Sequence, residues 1–306
     1  MFSGMGYRSI TIEPFCKEHS RFYTEIKERA ITGYGIRQDP ADSQFAFVAV
    51  AEGKEAGIIF TYHNQFHPFC TYVSLMVLPS TDRELVAAQL LEAVSELRVV
   101  YPLQISIWDT DFAIKQALVK QGFYEIRSTY DVHIETSKAY DVRDEDVLMR
   151  RHSDYQLLKL SELLKSEQGE EELALLVKKT YEYTHRVNPP EAFELFRWKA
   201  FLHEQDVIKQ GSYVVIHRTT GRCAGFAMLH STSDEFVAEL GWRGVASSEE
   251  LDLITLVTRE QIKYAIDNGI HQLKSEVDST DPYQMEMLNV YPFEPAPAWV
   301  TYHRQR

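Results

Sequence analysis

Cysteine is scarce in this chain. Only Cys16, Cys70 and Cys223 occur among 306 residues. They are far apart and odd in number, which excludes a disulfide framework and matches no zinc spacing. Cys70 and Cys223 sit in apolar, strand-like runs and read as core. Positive charge is also short: 32 Lys and Arg stand against 45 Asp and Glu, a net charge of −13. Such a field repels phosphate backbones, and Lys178-Lys179 and Arg150-Arg151 are isolated pairs rather than a basic stripe, so no nucleic-acid partner is expected. No apolar run is long enough to span a bilayer and no N-terminal stretch has a signal-peptide layout, so no membrane partner is expected and the expected location is the reducing cytoplasm. Walker and dinucleotide fingerprints are missing, as is a legible Ser-His-Asp arrangement. His63 and His67 bracket a loop with no third ligand nearby, so no metal site is expected.

What is present is the composition of a folded α/β protein. Hydrophobic residues make up 44%, and 17 Tyr and 16 Phe argue against extensive disorder. The length suits two domains, each able to bury its own core. In the first half, residues 9–14 alternate like a strand and 17–30 read as an amphipathic helix. Residues 44–51 and 56–63 form a hairpin across Glu52-Gly53-Lys54-Glu55. A strand over 70–78 follows, then a helix to about residue 99 with Ser80 or Thr81 as its N-cap. A strand over 103–108, a helix over 109–121 closed by Gly122, and a long alternating strand over 123–135 complete that half.

The second half repeats the order. Residues 155–165, 170–184 and 190–202 read as helices, 211–217 and 223–231 as a hairpin. A strand opening near Glu235, a helix to Asn268, a strand over 271–277, a helix over 281–290 and a strand over 299–304 follow. A repeat of this length means two copies of a domain rather than a solenoid. The division expected is 1–137 and 150–306, with the polar stretch 138–149 as a linker. Each copy is expected to be a mostly antiparallel mixed sheet flanked by helices, with parallel pairing across the long helix.

This doubled order resembles the GNAT superfamily of N-acyltransferases in tandem. Ala238-Glu239-Leu240-Gly241-Trp242-Arg243-Gly244-Val245 looks like the central strand of the histone acetyltransferase branch, in which the Glu after the Ala acts as general base. The stretch 278–289 followed by Pro292-Phe293, and Gly122-Phe123 in the first half, are similar to the family's closing segment. The resemblance implies an acyl-CoA cofactor, acetyl-CoA first, and a small-molecule amine as acceptor. The amine is protonated at neutral pH and needs a carboxylate to take its proton, the role implied for Glu239. Cofactor contacts are implied for Trp242, Arg243, Gly244 and Val245 on the strand, for Glu250, Leu251, Asp252, Leu253, Ile254 and Thr255 at the helix start, and for Asn289.

The chain departs from the family at the phosphate loop. Glu250, Leu253 and Thr255, and in the first half Asp82, Leu85 and Ala87, stand where an Arg or Gln and two small residues are usual. Leu118, and Leu288 or Asn289, replace the usual Tyr. Glu239 also has a plainer reading, a strand residue paired with a cation such as Arg243, which alternation puts on the same face as Glu239 and Gly241. Asp109 and Asp111, and Asp278 and Asp281, read either as cleft-facing acids or as helix caps. Two functions stay open: acyl transfer by the C-terminal half, and a catalytically inactive relative that binds a ligand or partner. A third, aminoacyl transfer from tRNA, is opposed by the charge.

Overall fold

The computed structural model describes residues 9–29, 38–79, 81–139 and 152–306. They form two compact units, Met1–Ser128 with Pro297–Arg306, and Thr129–Ala296. None of the described helices is long and apolar enough to cross a membrane.

The first unit begins with β1 (Ile10–Pro14), a 3-10 turn and α1 (Ser20–Arg29). Strands β2 (Ala46–Ala51) and β3 (Lys54–Tyr62) pair antiparallel with Ala51 opposite Lys54. Only Glu52 and Gly53 lie between them, at φ 53° and 75°. Two successive left-handed residues make the turn whose twist matches that of a β-hairpin, so the loop is tighter than the four residues the sequence suggests. β4 (Thr71–Val77) follows, then α2 (Arg83–Ser95), β5 (Leu103–Trp108), α3 (Phe112–Lys120) and β6 (Tyr124–Glu135). The N-cap of α2 is Asp82, whose carboxylate accepts from Leu85 N at 3.2 Å. Thr81 instead bonds back to the Leu78 carbonyl, and Ser80 lies outside the described residues. Parallel β4 and β5 pair only at Thr71↔Leu103 and Tyr72↔Gln104 and part beyond them.

The second unit opens at Thr129, partway along β6, and continues through α4 (Thr136–Ala139). The expected linker 138–149 falls largely outside the described residues. β7 (Tyr155–Lys159) is a strand where the sequence reads as helix. Its Leu-rich run has good helix propensity, but antiparallel pairing with β8 (Tyr213–His217) outweighs a preference of a few tenths of a kcal/mol per residue. Only Leu160–Leu163 (α5) is helical, followed by α6 (Glu167–Thr184) and α7 (Leu195–Phe201). Then come β9 (Cys223–Ser231), β10 (Val237–Val245), α8 (Leu253–Asp267), β11 (Gln272–Asp278) and α9 (Pro282–Val290). The sheet of this unit runs in the order β6, β11, β10, β9, β8, β7. Its core packs Ala238, Leu240 and Val245 of β10 against Leu253, Ile254 and Val257 of α8.

The last strand, β12 (Ala298–Arg304), belongs to the first unit. It pairs antiparallel with β5, from Trp299↔Trp108 to Arg304↔Leu103. In exchange, β6 from Thr129 onward pairs with β11 in the second unit. The compact units therefore divide the chain differently from 1–137 and 150–306. Alternation reveals that a segment is a strand but not which strand it joins.

Within the first unit, His303 of β12 is buried and its Nε2–H donates to Gln104 Oε1 at 2.8 Å, with the Cys70 thiol 3.8 Å from the same oxygen. Burial, aided by Arg127, pushes the His303 imidazole down from 6.5 to about 4. The unfolded chain therefore takes this proton before the folded one does. The contribution to stability is complete above pH 6.5, and is lost as pH falls toward about 4. The expected loss is roughly 3 kcal/mol, from 1.36 kcal/mol per pH unit. Melting of the first unit followed from pH 7 to pH 4 checks this: His303→Gln, which can still donate to Gln104, should flatten the slope, and an unchanged slope assigns it to another group.

Candidate functional site

The site is built where β10 and β11 part. These parallel strands pair only over Val237↔Gln272, Ala238↔Leu273 and Glu239↔Lys274. On the other side of β10, the register with β9 jumps from Leu240↔Leu229 to Arg243↔Ala227, so Gly241 and Trp242 together face Met228. Two residues opposite one form a bulge, and a bulge shifts the alternation by one. Ala238 and Leu240 face α8 before it; Arg243 and Val245 do so after it. Arg243 therefore leaves the face of Glu239, contrary to the simple alternation read from the sequence. Its Nη1 donates to Thr258 Oγ1 of α8 at 2.8 Å and its Nε to the Gly241 carbonyl at 3.3 Å. The partner of Glu239 is Lys274, at 3.0 Å, with both side chains 41% exposed.

The opposite face of β10 meets α6. A Cβ built on Gly244 would lie 2.7 Å from Thr180 Cγ2 and 2.9 Å from Thr180 Cβ, so this approach of helix to strand requires glycine. The Trp242 ring packs 4.9 Å from Tyr181 and 5.3 Å from Phe201, and Tyr181 stacks on His185 at 3.8 Å. Between this aromatic wall and the parted strands lies a cavity of about 230 Å³. Thr180, Tyr181, Thr184 and His185 line it from α6, Glu239–Arg243 from β10, Glu276 and Asp278 from β11, and Asp281 and Gln284 from α9. A second, larger cleft of about 460 Å³ also borders Thr180 and is lined by Lys179, Glu182, Tyr183, Arg186, Val245, Ala246, Ser248, Leu251, Pro282 and Tyr283.

Electrostatics in the cavity are uneven. Arg243 is 3% exposed, and burial lowers its guanidinium from 12.5 to about 10 despite the nearby Asp281 and Tyr291, so it stays charged at neutral pH. Its Nη2 is buried and has no hydrogen-bond partner among the described residues. Asp281 caps α9, accepting from Tyr283 N at 2.9 Å and Gln284 N at 3.1 Å. Burial, together with Asp278, raises its carboxyl to about 6 against the pull of those N–H groups and Arg243. Asp281 is thus at once a helix cap and a cavity wall. Asp278 Oδ1 accepts from Thr129 Oγ1 at 2.5 Å.

The helix start expected to hold the pyrophosphate is organised differently. Ser247 caps a 3-10 turn over Ser248–Glu250, accepting from Glu249 N at 3.3 Å. The N–H groups of Glu250, Ile254 and Thr255 already donate to the carbonyls of Ser247, Leu251 and Asp252, at 3.0–3.1 Å. The Glu250 carboxylate accepts from the Tyr155 hydroxyl. Asp252 approaches His152 at 3.5 Å. Leu253, Ile254 and Thr255 are buried, and Thr255 Oγ1 reaches Glu286 at 3.5 Å. Leu251 and Val245 line the larger cleft, whereas Asn289 is exposed on α9 and lines neither cavity. The structure thus gathers Glu239, Trp242 and Arg243 at one cavity and Val245 and Leu251 at the adjoining cleft. The α6 wall was missed by sequence reasoning; its one signal is Tyr181 and His185 at helical spacing i, i+4.

At the corresponding place in the first unit, Arg83 Nη2 meets Asp111 Oδ2 at 2.5 Å. That pair ties the start of α2 to the start of α3, where Asp111 also caps, accepting from Ile114 N at 3.3 Å.

No family model matches the sequence, and no curated protein matches it. Solved structures do match. A GCN5-related N-acetyltransferase from Sphaerobacter thermophilus superposes with TM-score 0.59 at 12% identity, over 96% of this chain and 95% of that one. The glucosamine N-acetyltransferase region of a fungal multi-domain β-N-acetylglucosaminidase gives 0.61 at 14%, over 98% of this chain and 38% of that one. A tandem GNAT protein from the clavulanic acid biosynthesis pathway gives 0.52 at 12%, over 96% and 98%. At such identities the likeness concerns fold. The chain has the GNAT fold, a mixed α/β architecture present as two GNAT-like units.

Proposed function

We propose that this protein transfers an acyl group from an acyl-coenzyme A, acetyl-CoA first, to a small amine, and that the second unit carries the reaction. The observation that carries this reading is the parting of β10 from β11 beside a half-exposed carboxylate, Glu239, at the mouth of a cavity. Fold analogy alone does not establish chemistry. The lining of the adjoining cleft supports this reading: Val245, Ala246, Leu251, Pro282 and Tyr283 offer apolar surface to a pantetheine arm, and Lys179 and Arg186, beside Glu182, are the cations available to its phosphates. With the N–H groups of Glu250, Ile254 and Thr255 already bonded within the chain, those two cations take over the role that loop backbone plays elsewhere. The cofactor supplies a thioester-activated acyl carbon. The chain holds the acceptor, and Glu239 removes the ammonium proton, directly or through water, so that the nitrogen lone pair is free to attack. Lys274, 3.0 Å away, holds the Glu239 carboxylate at the cavity mouth.

The rival reading, a protein that binds its ligand without turnover, is favoured by the same helix start. Glu249 and Glu250 lie in its first turn. A phosphate about 5 Å from a carboxylate is repelled by roughly 3 kcal/mol at an effective dielectric near 20.

Thermal melting with and without acetyl-CoA separates the possibilities. At a hundred times its dissociation constant, a ligand adds about 2.7 kcal/mol of stability. We expect a rise of several degrees together with free-thiol release when amines are added. No rise at millimolar acetyl-CoA rejects that cofactor. A rise without thiol release across an amine panel supports the rival.

A further inference from the structure

On the β9 side of β10, the neighbour of Glu239 is an imidazole. His230 stands directly opposite Glu239 in the antiparallel register. Opposed residues of such a pair share a face, with Cβ atoms about 5 Å apart. The His230 ring extends over Gly241: a Cβ built there would lie 2.4 Å from its Cδ2 and 2.5 Å from its Nε2. Glycine at 241 thus leaves room for the ring beside the bulge, and Gly241 lines the cavity together with Glu239. The ring is also oriented. Its Nδ1 lies 3.1 Å from Asp206 Oδ2. An ionised carboxylate only accepts, so Nδ1 carries the proton and Nε2 keeps its lone pair. Asp206 is tied to β9 in turn, its carbonyl accepting from Ser231 N at 2.7 Å and Ser231 Oγ at 3.2 Å. A latch for this segment needs Nδ1 alone; the place of Nε2, beside Gly241 and Glu239, is a separate feature.

We propose that Asp206 and His230 form a proton relay for Glu239, an inference that rests on the acyl-transfer reading. The acceptor ammonium gives one proton to the Glu239 carboxylate and keeps the electron pair of that N–H bond, with which it attacks the thioester. The Glu239 carboxyl passes the proton to His230 Nε2 and becomes a carboxylate again. The imidazolium, flanked by Asp206 and Glu239 with Lys274 beyond Glu239, releases the proton to water, to which its side chain is 21% exposed. Nothing is oxidised or reduced. Imidazoles ordinarily hold a proton about two pKa units, or roughly a hundredfold, more tightly than carboxylates. The relay therefore makes removal of the amine proton less uphill than a carboxylate alone can. His230 acts through Glu239 rather than on the acceptor.

Free-thiol release by the whole protein, with acetyl-CoA and an amine panel at pH 7, tests this. His230→Gln should lower kcat about ten- to a hundredfold and leave KM for acetyl-CoA unchanged. Combined with Glu239→Gln, it should add little to the loss that Glu239→Gln causes alone, because a relay without its first member carries no proton. Imidazole added to His230→Ala should restore the rate severalfold, which a damaged fold does not allow. If the His230 variants fail to fold, Asp206→Asn decides, on a side chain 52% exposed. It no longer holds the tautomer, and kcat should fall about tenfold. Native kcat in His230→Gln or in Asp206→Asn, an equal further loss in the double variant, or no rescue by imidazole overturns the relay and leaves acyl transfer in place. No thiol release by the native protein across the panel rejects acyl transfer, and the relay with it.

Discussion

Glu239→Gln is expected to slow acyl transfer at neutral pH by about 10²–10⁴-fold, the usual contribution of a positioned general base. The substitution is nearly isosteric and the side chain is 41% exposed, so the fold should tolerate it. Its pairing with Lys274 is a surface ion pair, worth at most about 1 kcal/mol. The loss should therefore appear in kcat rather than in melting temperature or in KM for the cofactor. Free-thiol release measured across pH gives a further check. The residual rate of the variant should rise with pH, as the free-amine fraction of the acceptor grows without help from the protein. A variant as fast as the native protein at pH 7 removes Glu239 from the mechanism and leaves the amine to lose its proton to water.

The second large effect concerns stability. A chain ending at Ala296 lacks β12, and the first unit is expected to lose its cooperative structure. Val300 is 3% exposed and Tyr302 2%. Burial of two such side chains contributes about 3–6 kcal/mol. The cut also removes the partners of Gln104 and Ser106, which bond His303 at 2.8 Å and Thr301 at 2.9 Å. Each buried group left unpaired costs about 1–3 kcal/mol. The sum reaches the whole stability of an ordinary domain, about 5–15 kcal/mol. Amide exchange should show β5 unprotected while β8, β9 and β10 keep their protection. Unchanged protection in β5 would mean that β12 is an accessory strand. The aromatic contact of Trp108 with Trp299, ring centroids 5.0 Å apart, offers a fluorescence reporter for the same loss.

Much of the fold was legible in the sequence because strand alternation and turn residues are local signals. Glu52-Gly53 and Gly122 mark their turns through backbone conformations that side chains rarely adopt, with Gly122 at φ 79°. The failures are all cases in which a distant partner decides. Residues 155–159 have the composition of a helix and become a strand because β8 is beside them. Asp82 rather than Thr81 caps α2 because the helix begins two residues beyond Thr81. The bulge at Gly241-Trp242 leaves no mark in the sequence, yet it moves Arg243 from one face of β10 to the other. Glu239 was singled out by the resemblance of Ala238–Val245 to the family's central strand, and its place at the cavity comes from the structure alone. The α6 wall was not, because Thr180, Tyr181 and His185 look like any other helix residues until the helix is laid against Gly244.

The exchange of β6 and β12 has a consequence for the order in which the protein takes shape during synthesis. Residues 129–296 are all added to the chain before residues 297–306. The unit encoded second is therefore complete in chain while the unit encoded first still waits for its closing strand. Domains of a nascent chain usually fold from the N-terminus onward. Here the N-terminal unit keeps the edge of β5 open until β12, encoded after the whole of the second unit, arrives.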